Sequence, residues 1–323
     1  MQITLANPRG FCAGVQVAID IVDQVLDAMN EDEHLYVYHE IVHNKHVVHR
    51  LKQRGAIFVE SIDEVPENST VVFSAHGVSP EIKDAAKERQ LIEIDATCPL
   101  VTKVHAEAIR YAKRGWQIIL IGHKNHQEVI GTFGEAPESI QIVESPADIQ
   151  NLSVKDSEKL IYLTQTTLSI DDAEIIINAL KNAFPSIKMP PNDDICYATT
   201  NRQQAVKEEA PNVDMVLVIG SQNSSNSLRL TEISKAAGTP AYLIDDTKSI
   251  NQEWFSNINS VLVTAGASAP EHLVKEVVAY LITNHGGTLN DNSIVDEGMS
   301  FSMPASFKRF IESRNITIEG ELA

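Results

Sequence analysis

The chain has 323 residues, 43% hydrophobic and 22% charged, enough to bury a substantial core and to divide into two or three domains. Its 44 Asp and Glu outweigh 26 Lys and Arg for a net charge of −18, so it repels a phosphate backbone at long range and nucleic acid is not an expected partner. The longest well-formed apolar run, "MVLVIG", is far short of the roughly 18 residues that a membrane span needs. The opening "MQITLANPRG" lacks the charged and apolar regions of a secretory signal, and a cytoplasmic globular protein with no membrane partner is expected.

The first predicted strand lies in "ITLANPRGFC" and leads through a polar loop to Cys12. Val15, Ala18, Ile19, Val22, Leu26 and Met29 then recur at helical spacing. A buried strand, "LYVY" from Leu35, opens into the loop "HEIVHN", which carries His43 and Asn44. "IFVESIDEV" follows with Glu60, and "VVFSAHG" presents Ser74 and His76.

The same order then returns. "LIEIDATC" leads to Cys98 and Pro99, and a helix is marked by Val101, Val104, Ala108 and Ala112. "IILIG" from Ile118 runs into "GHKNHQE", with His126 and Glu128; "IQIVESPADI" supplies Glu144, and "IYLTQTT" supplies Thr164, Thr166 and Thr167. In the third copy "SIKMPPNDDIC" reaches Cys196, and "YATTNRQQAVKEEA" is the weakest of the three helical patterns. "MVLVIG" from Met215 enters "GSQNSSN", with Ser224, Ser225 and Asn226. "AYLIDDTKSI" holds Asp245, and "VLVTAGAS" holds Thr264 and Ser268.

Matched landmarks in one order, three times over, indicate three homologous α/β units. They are predicted at 1–97, which carries Cys12, 98–194 and 195–281, followed by a C-terminal tail, 282–323, to which no function is assigned. Strands alternating with helices predict parallel sheets covered on both faces, and ligands then bind outside the carboxyl ends of the strands. Every polar loop named above lies at such an end. A pseudo-threefold arrangement therefore brings the cysteines and loops to one central site.

An odd number of cysteines in a reducing compartment fits a disulfide framework poorly. Three separate buried cysteines are the plain alternative, but their equivalent places in the repeat favour a shared metal centre. Pro99 suits the first position of a helix, which puts the Cys98 sulfur where the helix dipole favours thiolate. A structural zinc would want a fourth protein ligand and closely spaced pairs, whereas an iron–sulfur cluster on three cysteines leaves one iron open.

The surrounding loops supply His43, His76, His126, Thr166, Thr167, Ser224, Ser225, Asn226 and Ser268. With few Lys or Arg among them, this set suits a compact anion such as a diphosphate held by hydrogen bonds and loop amides. Taken singly, such residues are more often ordinary loop hydrogen-bonders. A cationic histidine beside the anion would strengthen binding as pH falls. Glu128, close to His126, is the candidate proton donor.

Together "NPRGFCAGV", "EIVHN", "SAHGVS", "DATCPLVTKVH", "TQTTLS", "DDICYATTNRQ", "GSQNSSNS" and "TAGASAP" resemble the motifs of the LytB family of 4-hydroxy-3-methylbut-2-enyl diphosphate reductases, over about residues 1 to 281. The resemblance implies an oxygen-sensitive 4Fe–4S cluster held by Cys12, Cys98 and Cys196, with one open iron. It implies reductive removal of the substrate hydroxyl by two electrons and two protons, giving isopentenyl and dimethylallyl diphosphate in the non-mevalonate pathway of isoprene biosynthesis. His43, His76, His126, Thr167, Ser224, Ser225, Asn226 and Ser268 are implied to bind the diphosphate substrate, Thr166 to orient its hydroxyl, and Glu128, with Thr166 and His126, to serve catalysis. A ferredoxin or flavodoxin donor and a monomeric state are implied on the same ground. Gln127 stands where the family usually has proline, and Ile130 where glutamate is common.

Overall fold

The structure is a computed structural model, and it describes residues 1–289 and 295–314. Short strands that are apolar along their whole length, such as "LYVY" and "MVLVI", have no polar face to show to water and are buried on both sides. Helices shield them, and the result is an α/β protein with, among the described residues, three parallel sheets.

The first sheet is built from β2 (Leu35–Tyr38), β3 (Ile57–Val59), β4 (Thr70–Phe73) and β5 (Ile92–Asp95), in the order β3-β2-β4-β5. The second contains β6 (Gln117–Ile121), β7 (Ile140–Val143) and β8 (Leu160–Thr164), ordered β7-β6-β8. The third takes β9 (Met215–Ile219), β10 (Ala241–Ile244) and β11 (Ser260–Ala265), extended by β1 (Gln2–Leu5) and β12 (Thr288–Leu289), in the order β10-β9-β11-β1-β12. All pairings are parallel, with Leu35 opposite Thr70, Ile118 opposite Ile161 and Val216 opposite Leu262.

The repeat is visible in these orders, with one displacement. The segment before each cysteine joins the sheet of the preceding copy: β5 lies beside β4, Lys188 forms a single parallel bridge to Ile161 of β8, and β1 lies beside β11. The chain start thus closes the ring. The first unit, expected to begin at residue 1, gives its opening strand to the third, because Ile3 and Leu5 bury themselves against an edge that β11 would otherwise expose.

Helices α1 (Ala13–Ala28), α4 (Pro99–Lys113) and α7 (Tyr197–Glu209) follow the cysteines. Helices α2 (Lys45–Gln53), α5 (Gln127–Gly134) and α8 (Ser225–Ala236) follow the middle strands; α3 (Pro80–Glu88), α6 (Ile170–Ala183) and α9 (Glu271–His285) follow the last ones. No helix among the described residues is long and apolar enough to cross a membrane.

The expected tail does not hang free where it is described. The 281/282 boundary falls inside α9, and β12 then pairs with β1. Helix α10 (Ala305–Ser313) buries Phe307, Phe310 and Ile311 in the core of the first sheet, against Val25, Leu35 and Ile94. Residues 290–294 and 315–323 of that tail lie outside the described residues.

Candidate functional site

Each cysteine is the N-cap of its helix: Cys12 of α1, Cys98 of α4 and Cys196 of α7. Pro99 occupies the first turn of α4, as its fixed φ favours. The three are held alike, since each cysteine N–H donates to a carbonyl just past a last strand: Cys12 to Ala267 (3.2 Å), Cys98 to Ala75 (3.0 Å) and Cys196 to Thr166 (3.1 Å). The ring of sheets therefore sets the cysteines directly.

The thiols face one cavity, lined also by His43, His76, His126, Glu128, Thr166, Thr167, Ser224, Ser225, Asn226 and Ser268. Apart from Asn44, every residue singled out from the sequence for metal, substrate or proton is in that lining. The Asn44 Oδ1 accepts from His46 and Val47 N–H and caps α2. Val15, Val42, Leu100 and Val101 add apolar wall.

Burial dominates the thiols' protonation. It pushes Cys98 up to about 12 and Cys196 up to about 11, with the neighbouring thiols adding to the rise. Cys12 is raised by burial too. The N–H groups of the helix starts pull the other way, but they lose to desolvation, so the dipole alone does not yield thiolates. A cationic metal centre reverses that balance, because it takes thiolates as ligands. Cys196 is further braced by Thr199, whose N–H and hydroxyl lie 3.4 and 3.2 Å from its Sγ. The sequence reading missed Thr199, although its place one helical turn past the cysteine is the signal. Among the described residues no set of three or more His, Cys, Asp or Glu is grouped tightly enough for a single metal ion.

The imidazoles stand together across the cavity. His43 stacks on His76 with ring centroids 4.0 Å apart, and His126 meets them edge-on at 5.4 and 5.8 Å. Burial, then the neighbouring rings, lowers His126 to about 3 and His76 well below the usual imidazole range. The Glu128 N–H donates to His126 Nδ1 at 3.2 Å, so the neutral ring carries its proton on Nε2, where it can be given to a ligand.

Opposite them, α8 begins with Ser224 as N-cap, its Oγ accepting from the Ser227 N–H and hydroxyl and lying 3.5 Å from the Ser268 hydroxyl. Ser268 donates to the His43 carbonyl and Ser225 to the Thr167 carbonyl. Asn226 is 4% exposed, yet neither its Oδ1 nor its Nδ2 has a partner. A buried amide with both ends unmet is costly, and a helix N-terminus is where an anion would satisfy it.

Glu128 is 3% exposed. It accepts from the Thr166 N–H at 2.6 Å and from the Thr166 hydroxyl at 3.0 Å. Burial raises its carboxyl to about 7 against the pull of those two bonds, and Asp194 adds to the rise. Gln127, just before it, is the first residue of α5, a position that favours proline, and Ile130 is 46% exposed.

Residues 3–282 match the family model described as LytB protein. The chain is 52% identical to the 4-hydroxy-3-methylbut-2-enyl diphosphate reductase of Rhodopirellula baltica over 96% of its own length and 97% of the relative's. It is 54% identical to that of Psychromonas ingrahamii over 95% and 98%. Among solved structures, the E-1-hydroxy-2-methyl-but-2-enyl-4-diphosphate reductase of Plasmodium falciparum superposes with a TM-score of 0.90 at 41% identity, covering 97% of this chain and 99% of that one. A second, described as (E)-4-hydroxy-3-methyl-but-2-enyl diphosphate reductase, the terminal enzyme of the non-mevalonate pathway, gives 0.63 at 33% identity, covering 88% and 100%. With a matching profile over most of its length, close relatives end to end and a common fold, this chain belongs to the LytB protein family.

Proposed function

We infer that this chain is an oxidoreductase that removes the hydroxyl group of 4-hydroxy-3-methylbut-2-enyl diphosphate reductively. The allylic C–O bond breaks, two electrons and two protons are consumed, water leaves, and isopentenyl and dimethylallyl diphosphate are the products. The observation that carries this reading is the convergence, in one cavity, of three helix-capping thiols, a buried amide without partners and a proton-holding carboxylate.

Cys12, Cys98 and Cys196 would hold the cluster, a 4Fe–4S centre on three protein ligands with one iron left open. When bound, it supplies electrons to the substrate and a Lewis-acidic position for its oxygen. The remaining work falls to the protein's own groups. Asn226, Ser224, Ser225 and Ser268, with the first N–H groups of α8, receive the diphosphate, while His43, His76, His126 and Thr167 complete the ring of donors. A diphosphate beside the imidazoles favours their charged forms, so substrate binding draws protons into the site.

Thr166 holds the substrate hydroxyl, and Glu128 recharges it with a proton through the Thr166 hydroxyl. A carboxyl near 7 is suited to that task, because it keeps a proton at neutral pH yet releases it readily. A ferredoxin or flavodoxin as donor, a cytoplasmic setting and a monomeric state complete the reading. The test is a single turnover by anaerobic, cluster-loaded, chemically reduced protein. Isopentenyl and dimethylallyl diphosphate are expected; free phosphate or pyrophosphate with the hydroxyl intact would identify a hydrolase instead.

A further inference from the structure

Arg202, on α7 beyond Cys196, is fully buried, and its guanidinium does not reach the cavity. It reaches back to the other end of the chain. Its Nε and Nη2 donate to the Gly10 carbonyl at 3.0 and 2.8 Å, Nη2 also lies 3.4 Å from the Phe11 carbonyl, and Nη1 donates to Ala198 within α7 at 2.9 Å. Arg202 thus fastens the loop immediately before Cys12 to the helix that Cys196 caps. Gly10 takes part in a second tether, its N–H donating to the Ala265 carbonyl at 3.1 Å.

A buried guanidinium needs a counter-charge, and this one comes from the segment to which sequence reading gave no role. Glu297 accepts from Arg202 through both oxygens, at 3.2 and 3.0 Å, with its side chain only 12% exposed. The Asn201 amide holds the same carboxylate at 2.8 Å. Further along, the Phe301 ring sits against Gly14 beside the Cys98 sulfur, and the Ser306 hydroxyl accepts from the Asp95 N–H at the base of the Cys98 loop. The C-terminal run from Glu297 to Ser306 therefore supports the cysteine loops from behind.

We propose that Glu297 is a positioning residue for the thiol cradle, acting through Arg202 to hold the Cys12 loop. The fork between guanidinium and carboxylate fixes the plane of Arg202, and that plane aims its remaining N–H groups at Gly10 and Phe11. Without the carboxylate, a buried cation has only main-chain oxygens for company and must draw in water or turn away. The Cys12 loop then loses the Arg202 bonds to Gly10 and Phe11 and keeps only its N–H bonds to Ala265 and Ala267, whereas the bond from the Cys98 N–H to Ala75 involves neither Arg202 nor Glu297.

The proposal rests on the three cysteines being cluster ligands, but it can be tested without a cluster. The variants are Glu297→Ala and the double replacement Arg202→Met with Glu297→Met, which removes both charges and so folds even if the single variant does not. Alkylation of each cysteine in metal-free protein is timed by mass spectrometry under native conditions. Cys12 should react about tenfold faster than in the parent, the effect of an opening made 1.4 kcal/mol easier, while Cys98 is unchanged. Loaded protein should surrender iron to a chelator faster by a similar factor. Cys12 reactivity within about twofold of the parent in the double variant would overturn the proposal, as would all three cysteines rising together, which marks general loosening. Failure to load iron in the parent would count against the cluster alone, since the alkylation result stands independently.

Discussion

Replacing Asn226 with leucine should make the ligand-free protein more stable and its substrate affinity weaker. The side chain is buried and both polar ends of its amide lack partners. Each such group costs about 1–3 kcal/mol when left unmet, whereas an apolar group of similar shape carries no such penalty. A net gain of about 1–3 kcal/mol in the free protein is therefore expected, after some loss to imperfect packing of the leucine methyls. The same change deletes a hydrogen bond to a charged ligand, worth about 1.5–3 kcal/mol, so the substrate dissociation constant should rise about tenfold or more. Urea denaturation of metal-free parent and variant measures the first effect, and calorimetric titration of oxidised, cluster-loaded protein with substrate measures the second. A less stable variant would show that the amide has partners in the free protein. Unchanged affinity would remove Asn226 from the diphosphate site.

Glu128→Gln keeps the size of the side chain but not its acidic proton, so turnover should fall by roughly 10²–10⁴ with cluster content unchanged; a rate within a few-fold of the parent would mean that protons arrive by another route. The parent's rate should also decline as pH rises through about 7, where Glu128 gives up its proton. Because burial raises this carboxyl from 4.5 to about 7, the native state keeps a proton across that window that the unfolded chain releases. Stability should then fall with rising pH by about 1.4 kcal/mol per unit, a slope absent from the Gln variant; parallel curves for the two proteins would refute it. Gln127→Pro should stabilise the fold by about 0.4–1 kcal/mol, since His126 is already extended and a first helical residue needs no N–H partner; destabilisation would show that α5 starts under strain. Gly14→Ala should help α1 by roughly 1 kcal/mol locally yet lose iron, because the new Cβ would stand 2.6 Å from the Cys98 sulfur. Full iron content would show that Cys98 can swing aside.

The strands, the cysteine helices and the members of the central cavity were legible because they are local patterns repeated in one order. Strand partners were not. "ITL" reads as the opening of the first unit because it precedes Cys12, but pairing depends on which sheet edge is open, and β5 already fills that place in the first sheet. In the second copy the same slot shrinks to one bridge at Lys188, which no apolar run announces. Glu297 sits in "VDEGMS", part of the tail to which the sequence assigns no function, and its partner Arg202 stands 95 residues earlier. The helix dipole at Cys98 follows from Pro99 in the sequence, but the desolvation that overrides it follows from depth, which spacing along the chain does not encode.

The most direct measurement is the iron and acid-labile sulfide content of anaerobically purified parent, Cys12→Ser, Cys98→Ser and Cys196→Ser, each assayed with the colour of the protein and its single-turnover yield. Expected are a brown parent carrying about four irons and four sulfides per chain and three variants that each lose most of the cluster or nearly all turnover. A colourless parent loaded with zinc, or full iron and activity in Cys196→Ser, would contradict a single cluster shared by the three cysteines.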